Sequence, residues 1–393
     1  DALIAGKMFT GSFFGGGGPL DVASTNAGKP RQTYDQALKE ARAVIPRELR
    51  AVMGRPGKQV GLFNPLGFDR KAFVKIRKNR FARATVPAFG RCTAEIIEDG
   101  SVRTGELTLE NALLQIRFNP VSGCIEKIID RANGRTVVDR CNEFLYGPGS
   151  TMRMEDFSVQ ENAFCRATVR IRGSVSAGEG FVASYDTVVE LSDGSRVLDI
   201  RTRLRPTIMI PPNPCDHALR MGVSVSGDQP RITTTYFNVS ESLREAPVAK
   251  QFQNFKPKPY QIFSSPSDRR LTMFSSPYYT RICASGGTVD LFNDGAQWYF
   301  QKDGQIQQHL VANNDTGFDF HYAIAVNNLG IHPFLASLDW QTPFLTAPSA
   351  VRSPWSLFRG DRPNLLLFGC EYLGHRTFLV RAMEMEGRKT RAT

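Results

Sequence analysis

LENALLQIRFNPVSGCIEKIIDRANGRTVVD, residues 109–139, is the stretch that decides the fold. Leu114, Ile116 and Phe118 alternate with Gln115 and Arg117, the period-two pattern of a half-buried strand. Asn119-Pro120-Val121-Ser122-Gly123 reads as a turn, because proline presets φ and glycine tolerates positive φ. A short strand follows from Cys124 to Ile129, then a second turn at Ala132-Asn133-Gly134 and a strand through Thr136-Val137-Val138. Asn-Gly between apolar runs is a strong hairpin signal. The segment predicts an antiparallel meander, and it carries almost no side chain capable of chemistry.

The same alternation recurs downstream. In VLDIRTRLR (197–205), Leu198, Ile200, Thr202 and Leu204 alternate with Asp199, Arg201, Arg203 and Arg205, giving one apolar and one solvated face. Further strands are predicted at 166–172, 184–191, 218–225, 231–237, 288–293, 321–326, 364–369 and 376–382. Helix is predicted only near the start. TYDQALKEARAVIPRELRAVM (33–53) places Leu38, Ala41, Ile45, Leu49 and Val52 at helical spacing, with Thr33 and Gln36 as a capping box and Pro46 as a kink. The Gly-rich run GSFFGGGGPL before it reads as a loop. Residues 1–56 are thus expected to be loop and helix, 57–104 a small β domain, and 105–393 a large β-supersandwich. The fold class expected is mainly β, an antiparallel sandwich with a short N-terminal helical segment.

Composition narrows the function classes. With 41% hydrophobic and 22% charged residues the chain reads as a soluble globular protein, and no run of about 18 apolar residues exists to span a membrane. The first residue is not Met and the opening lacks the layout of a signal peptide, which reads as a processed or truncated chain. The net charge of +11 comes mostly from arginines scattered along strands, with no nucleic-acid-binding motif, so no nucleic-acid partner is expected. The seven cysteines are widely spaced without C-x-x-C and read as buried or free thiols. The sequons at Asn238 and Asn314 are what chance supplies.

Chemistry-bearing patterns are sparse. The histidines at 217, 309, 321, 332 and 375 show no paired-ligand spacing, and each reads as a surface or hydrogen-bonded core residue. No G-x-S-x-G or P-loop is present. Glu155-Asp156 and Asp216-His217 are read as loop residues; adjacent side chains on one loop seldom supply a glycosidase's acid and nucleophile together, and turn formation accounts for Asp216 as well as catalysis does. Tyr278-Tyr279 and Trp298-Tyr299 suit stacking on sugar rings, but alternation on strands favours core packing. Neither a catalytic residue nor a metal ligand is assigned to this chain.

Several segments, taken in order, resemble glycoside hydrolase family 38, the α-mannosidases. FNPLGFDRKAFVKI (63–76) resembles the family's N-P-L-x-x-x-R strand after the helical bundle, and TVPAFGRCTAEI (85–96) resembles the strand that closes the first β unit. The 109–139 stretch is similar to the family's next meander, and YDTVVELSDGSRVLDIRTRLR and GGTVDLFNDG continue the order. Together these cover about residues 57–382.

The resemblance implies a galactose-mutarotase-like supersandwich downstream of an N-terminal α/β barrel that carries the nucleophilic Asp and most zinc ligands. Asp1-Ala2-Leu3-Ile4-Ala5-Gly6 resembles the family's H-H-D-A-x-x-G motif cut after its histidines, with Lys7 where the family has Thr. Asp1 would then be a substrate-binding carboxylate beside the zinc, and Arg244 the nearest candidate for an arginine sent toward the sugar. NNLG (327–330) replaces the family's Pro-His-Gly, and LVANN (310–314) its L-l-R-s-P, departures that mark a divergent or non-mannose-specific member. Expected partners are a glycan substrate and the catalytic barrel, with zinc bound mainly outside this chain and a lysosomal or secretory location favoured over a cytoplasmic one. Two other readings use the same fold: a non-catalytic carbohydrate-binding module, and a sugar epimerase with a His acid and a Glu base on one sheet face.

Overall fold

The computed structural model describes residues 36, 39, 49–54, 57–77, 80–146, 149–208, 219–227, 231–236, 239–243, 263–264, 272–276, 279–293, 297–302, 305–311, 318–327, 329–350, 353–358, 360, 362, 364–375, 377–385 and 389–391. The fold is antiparallel β throughout its sheets, as expected. Gln36, Lys39 and residues 49–53 are helical, and the rest of the predicted 33–53 helix lies outside the described residues. No helix among the described residues is long and apolar enough to cross a membrane. The contacts divide the chain into two compact units.

The larger unit is built on residues 100–236 and 240–337. Among the described residues it holds two sheets. In the ten-stranded sheet, Arg103–Thr104, Thr108–Glu110, Leu114–Phe118, Ile125–Asp130 and Arg135–Tyr146 lie side by side in sequence order, followed by Leu219–Val225. Beyond Leu219–Val225 come Gln305–Val311, Gln297–Lys302, Thr272–Ser276 and Phe263–Ser264. The nine-stranded sheet runs Ser150–Ala163, Arg166–Ala177, Gly180–Ser192, Val197–Pro206, Phe318–Val326, Gly287–Asn293, Tyr279–Ala284, Arg231–Tyr236 and Val239–Leu243. One continuous core joins their inner faces, including Ile116, Ile128, Val138 and Phe144 from the first sheet and Val169, Val189, Ile200 and Ile324 from the second.

The opening stretch behaves as its pattern dictates. Leu114, Ile116 and Phe118 are buried while Arg117 is exposed. In the first turn Asn119 Oδ1 accepts the N–H groups of Val121 and Ser122, both at 2.9 Å, and Gly123 takes φ of 67°. A Cβ at Gly123 would meet Ile171 Cγ2 at 2.6 Å, so both backbone and space demand glycine there. The second turn differs from a two-residue Asn-Gly hairpin: Asp130 pairs with Arg135, leaving a four-residue loop. The cause is Asp130, whose Oδ1 accepts Ala132 N–H at 3.0 Å while its carbonyl accepts Gly134 N–H at 2.8 Å.

Asp130 also ties the two sheets together. It is buried, and its Oδ2 lies 3.1 Å from Arg196 Nη1 and accepts Asn327 Nδ2 at 2.6 Å. Arg196 sits in the turn before Val197–Pro206, and Asn327 follows Phe318–Val326. A second polar link crosses the core itself. Thr187 Oγ1 meets Thr202 Oγ1 at 3.0 Å, Thr202 meets Tyr322 OH at 3.2 Å, and Tyr322 donates to Asn142 Oδ1. Asn142, at φ of 56°, stands at the bulge of Arg135–Tyr146, so the extra residue turns its amide inward instead of breaking the core. All four members are buried and partnered, the condition under which a polar network specifies a core.

The smaller unit draws on residues 35–99 and 338–393. Gln59–Asn64 pairs with Gly90–Thr93 on one side and with Leu345–Ser349 on the other, and Trp355–Ser356 completes the four-stranded sheet. A three-stranded sheet of Arg70–Arg77, Arg80–Val86 and Glu95–Ile97 accompanies it, with Leu62, Ala72, Val86 and Cys92 forming a core cluster. This is a difference from the sequence division, which placed Leu345–Ser349 in the large sandwich. Pairing in register with a strand far upstream leaves no local signature.

The N-P-L-x-x-x-R motif has a structural explanation in this unit. Buried Asn64 accepts Leu66 N–H at 3.0 Å and donates to the Phe68 carbonyl at 2.7 Å and the Pro87 carbonyl at 3.1 Å, closing the turn after its strand. Arg70, also buried, donates from Nε to Asp339 Oδ1, from Nη2 to the carbonyls of Asp339 and Thr342, and from Nη1 to Asn64 Oδ1. Its guanidinium lies 3.9 Å from the centre of the Phe344 ring. A further helix, Pro333–Gln341, was not expected from the sequence; Pro333 to Ser337 are all buried, so no amphipathic stripe marks it.

Candidate functional site

Asp1 and Arg244, the two predicted substrate-binding residues, lie outside the described residues, as do Lys7, Asp216, His217, Tyr278, Asn238 and Asn314. Tyr279, Trp298 and Tyr299 fall on strands, and their side chains lie outside the described ones. Glu155 and Asp156 are not in a loop. They sit within Ser150–Ala163, where Asp156 pairs with Arg172 across a bulge and accepts its Nη2 at 2.9 Å.

The chemistry-bearing groups gather on the outer face of the nine-stranded sheet. Strand alternation puts Arg166, Glu190, Asp199, Arg201 and His321 on that face, opposite the apolar core. Register then makes neighbours of residues far apart in sequence. Glu190 pairs with Asp199, and His321 pairs with Arg201. His321 Nε2 lies 2.7 Å from Asp199 Oδ2, Arg201 Nε lies 3.5 Å from Asp199 Oδ1, and Arg166 lies 3.5 Å from Glu190 and 2.7 Å from Glu161. The result is a band of charged side chains across five neighbouring strands, in which the two carboxylates Glu190 and Asp199 lie side by side between Arg166 and the Arg201–His321 pair. A parallel row holds Arg170, which clasps Asp186 with both ends of its guanidinium.

Electrostatics differ along these rows. Burial pushes the Glu190 carboxyl up and Asp199 adds to it, outweighing Arg166 and Arg201. The Arg170 hydrogen bond holds Asp186 below the ordinary carboxylate value despite partial burial. A part-exposed imidazole thus rests against Asp199, and the Glu190 carboxyl, raised by burial, lies on the strand at the other side of Asp199. The more exposed of these ion pairs contribute less than about 1 kcal/mol each.

A second cluster surrounds the buried Asp290. Asp290 accepts Arg281 Nε at 2.8 Å and Nη2 at 2.9 Å, and burial raises its carboxyl against that pairing. His332 lies in the field of both residues and accepts Phe334 N–H at 3.3 Å through Nδ1. Burial holds its pKa below the ordinary value, Arg281 adds to this, and Asp290 offsets only part. Because the folded value lies under the unfolded one, neutral His332 stabilises fully above about pH 6.5, and that contribution fades as pH falls toward the folded value. The urea midpoint of the chain is expected to drop from about pH 7 to about pH 5, and His332→Asn should flatten the drop. Identical slopes for the two proteins would remove His332 from the account.

Among the described residues no three His, Cys, Asp or Glu side chains converge as metal ligands. Cys92, Cys124, Cys141 and Cys165 are buried thiols, and burial pushes Cys92 up to about 11. The pairing of His321 with Asp199 was not legible in sequence, because register alone joins residues on separate strands.

No protein-family model matches the chain, and no curated protein matches it. Solved structures do. An alpha-mannosidase from Enterococcus faecalis V583 superposes with a TM-score of 0.56 at 12% identity, over 84% of this chain and 46% of its own. A protein in the glycosyl hydrolase family 38 from Enterococcus faecalis superposes with a TM-score of 0.57 at 12% identity, over 90% of this chain and 50% of its own. A galactose mutarotase-like protein from Lactobacillus casei matches 57% of this chain at a TM-score of 0.33, too distant a superposition to argue from. At such identities the likeness is one of fold, and the chain spans half or less of the two longer proteins.

Proposed function

We propose that this chain is the β-rich region of a retaining glycoside hydrolase of α-mannosidase type, acting on mannose-containing glycans. What carries the reading is a fold shared over most of the chain with about half of two longer proteins, one an alpha-mannosidase. The ordered sequence segments at 63–76, 85–96 and 109–139 point the same way. In a retaining mechanism one carboxylate attacks the anomeric carbon while a second protonates the leaving oxygen, and water then releases the glycosyl-enzyme. Those groups, and the zinc that would hold sugar hydroxyls, belong on this reading to a catalytic barrel that the present chain does not contain. The chain's own part is to pack against that barrel and wall its cleft.

Alone, the chain should give no turnover of an aryl α-mannoside with zinc added, while a longer native chain carrying the barrel should turn it over with retention. Robust hydrolysis by the present chain would overturn the reading, as would a precursor that sequencing shows to have no barrel. A second reading, sugar epimerisation, is favoured by His321 and Glu190 sharing one sheet face beside Asp199. Polarimetry decides it: anomer interconversion lost on His321→Ala would move the function there.

A further inference from the structure

The smaller unit carries a groove. It lies between the four-stranded and three-stranded sheets and holds about 1170 Å³, larger than the roughly 300–1,000 Å³ of small-molecule sites. The floor is aliphatic, with half-buried Val60, Val74 and Ala94 and the exposed Ile96. The rim is cationic. Lys58, Lys75, Arg77 and Arg80 are all exposed along it, against one carboxylate, Glu95, among the described lining residues.

The borders of the groove matter as much as its charge. Arg70–Arg77 and Glu95–Ile97 are the two outer strands of the three-stranded sheet, and Leu345–Ser349 is an outer strand of the four-stranded one. All three contribute lining residues. Outer strands present backbone N–H and C=O groups that an added strand can pair. Among the described lining residues none is aromatic, so the groove offers no platform for stacking a base or a sugar ring.

We propose that this groove binds an acidic peptide in extended conformation. The peptide backbone pairs with a bordering outer strand, its alternate apolar side chains rest on Val74 and Ile96, and its carboxylates meet Lys58, Lys75, Arg77 and Arg80. Addition of a strand supplies affinity through main-chain hydrogen bonds, and the cationic rim selects the sign of the partner. The site does not depend on the glycosidase reading.

The test is fluorescence anisotropy of the whole chain with a fluorescein-labelled peptide of alternating glutamate and valine. Binding is expected to weaken about tenfold or more on Lys75→Glu with Arg77→Glu, and to weaken with added salt. Arg117→Glu with Arg135→Glu, exposed positions in the larger unit, should leave it unchanged. An N-methylated version of the peptide, unable to donate backbone hydrogen bonds, should fail to bind. Circular dichroism checks that each variant keeps its sheets. No binding, equal binding of an alternating lysine–valine peptide, or full binding by the N-methylated peptide would each overturn the proposal. So would tighter binding at this groove by a sulfated oligosaccharide or a single-stranded oligonucleotide.

Discussion

Arg70→Met is expected to cost the smaller unit about 3–5 kcal/mol, because it strands the groups that the guanidinium now satisfies. The Asp339 carboxylate, raised by burial against the pull of Arg70, would lose its counter-charge. The carbonyls of Asp339 and Thr342 would lose their donor. Arg70→Lys should recover little, since one ammonium cannot reach several acceptors in the geometry of a planar fork. Trp340 and Trp355 both belong to this unit, so intrinsic fluorescence in a Trp298→Phe background reports on it during urea unfolding. A midpoint shift worth less than about 0.5 kcal/mol would mean that water replaces the arginine at no penalty.

The second large effect is expected at Asp130 in the larger unit. Asp130→Ala leaves Arg196 and Asn327 without their shared acceptor and opens the turn at Ala132, a loss of about 3 kcal/mol or more. Asp130→Asn should cost less, since its oxygen still accepts Ala132 N–H. Burial tends to raise the Asp130 carboxyl, but the hydrogen bonds from Asn327, Arg196 and Ala132 outweigh it and hold the pKa below the ordinary value. A carboxyl lowered on folding stabilises above its unfolded value of about 3.9 and loses that contribution as pH falls through the folded one. Acid unfolding followed by far-ultraviolet circular dichroism should therefore have a shallower limb in Asp130→Asn than in the native chain. An unchanged limb would show that other carboxylates govern it.

The strands that could be read from sequence were those with one face in the core. Leu114, Ile116 and Phe118, and Leu198, Ile200 and Leu204, are buried at every second position, so the period is written in the residues. Ser150–Ala163 gave no such signal: of its fourteen residues only Met152 and Ala163 are buried. Pro333–Gln341 failed for the opposite reason, with five consecutive buried residues and no polar face. The polar row was harder still. Each of Glu190, Asp199 and His321 looks like an ordinary strand residue, and only the register of three strands makes them neighbours. Asp130 and Arg70 stood in recognisable motifs, but their partners Asn327 and Asp339 come from much later in the chain.

The four-stranded sheet of the smaller unit also sets a timetable for synthesis. Gln59–Asn64 leaves the ribosome long before Leu345–Ser349, its hydrogen-bonded neighbour. At about 5–20 residues per second the early strand waits roughly 15–60 seconds for that partner. During the wait it has Gly90–Thr93 on one side and a bare flank on the other. A nascent chain so exposed is a natural client for a holding chaperone. A premature stop anywhere before residue 345 leaves that flank bare for good, even with the larger unit's sequence fully translated.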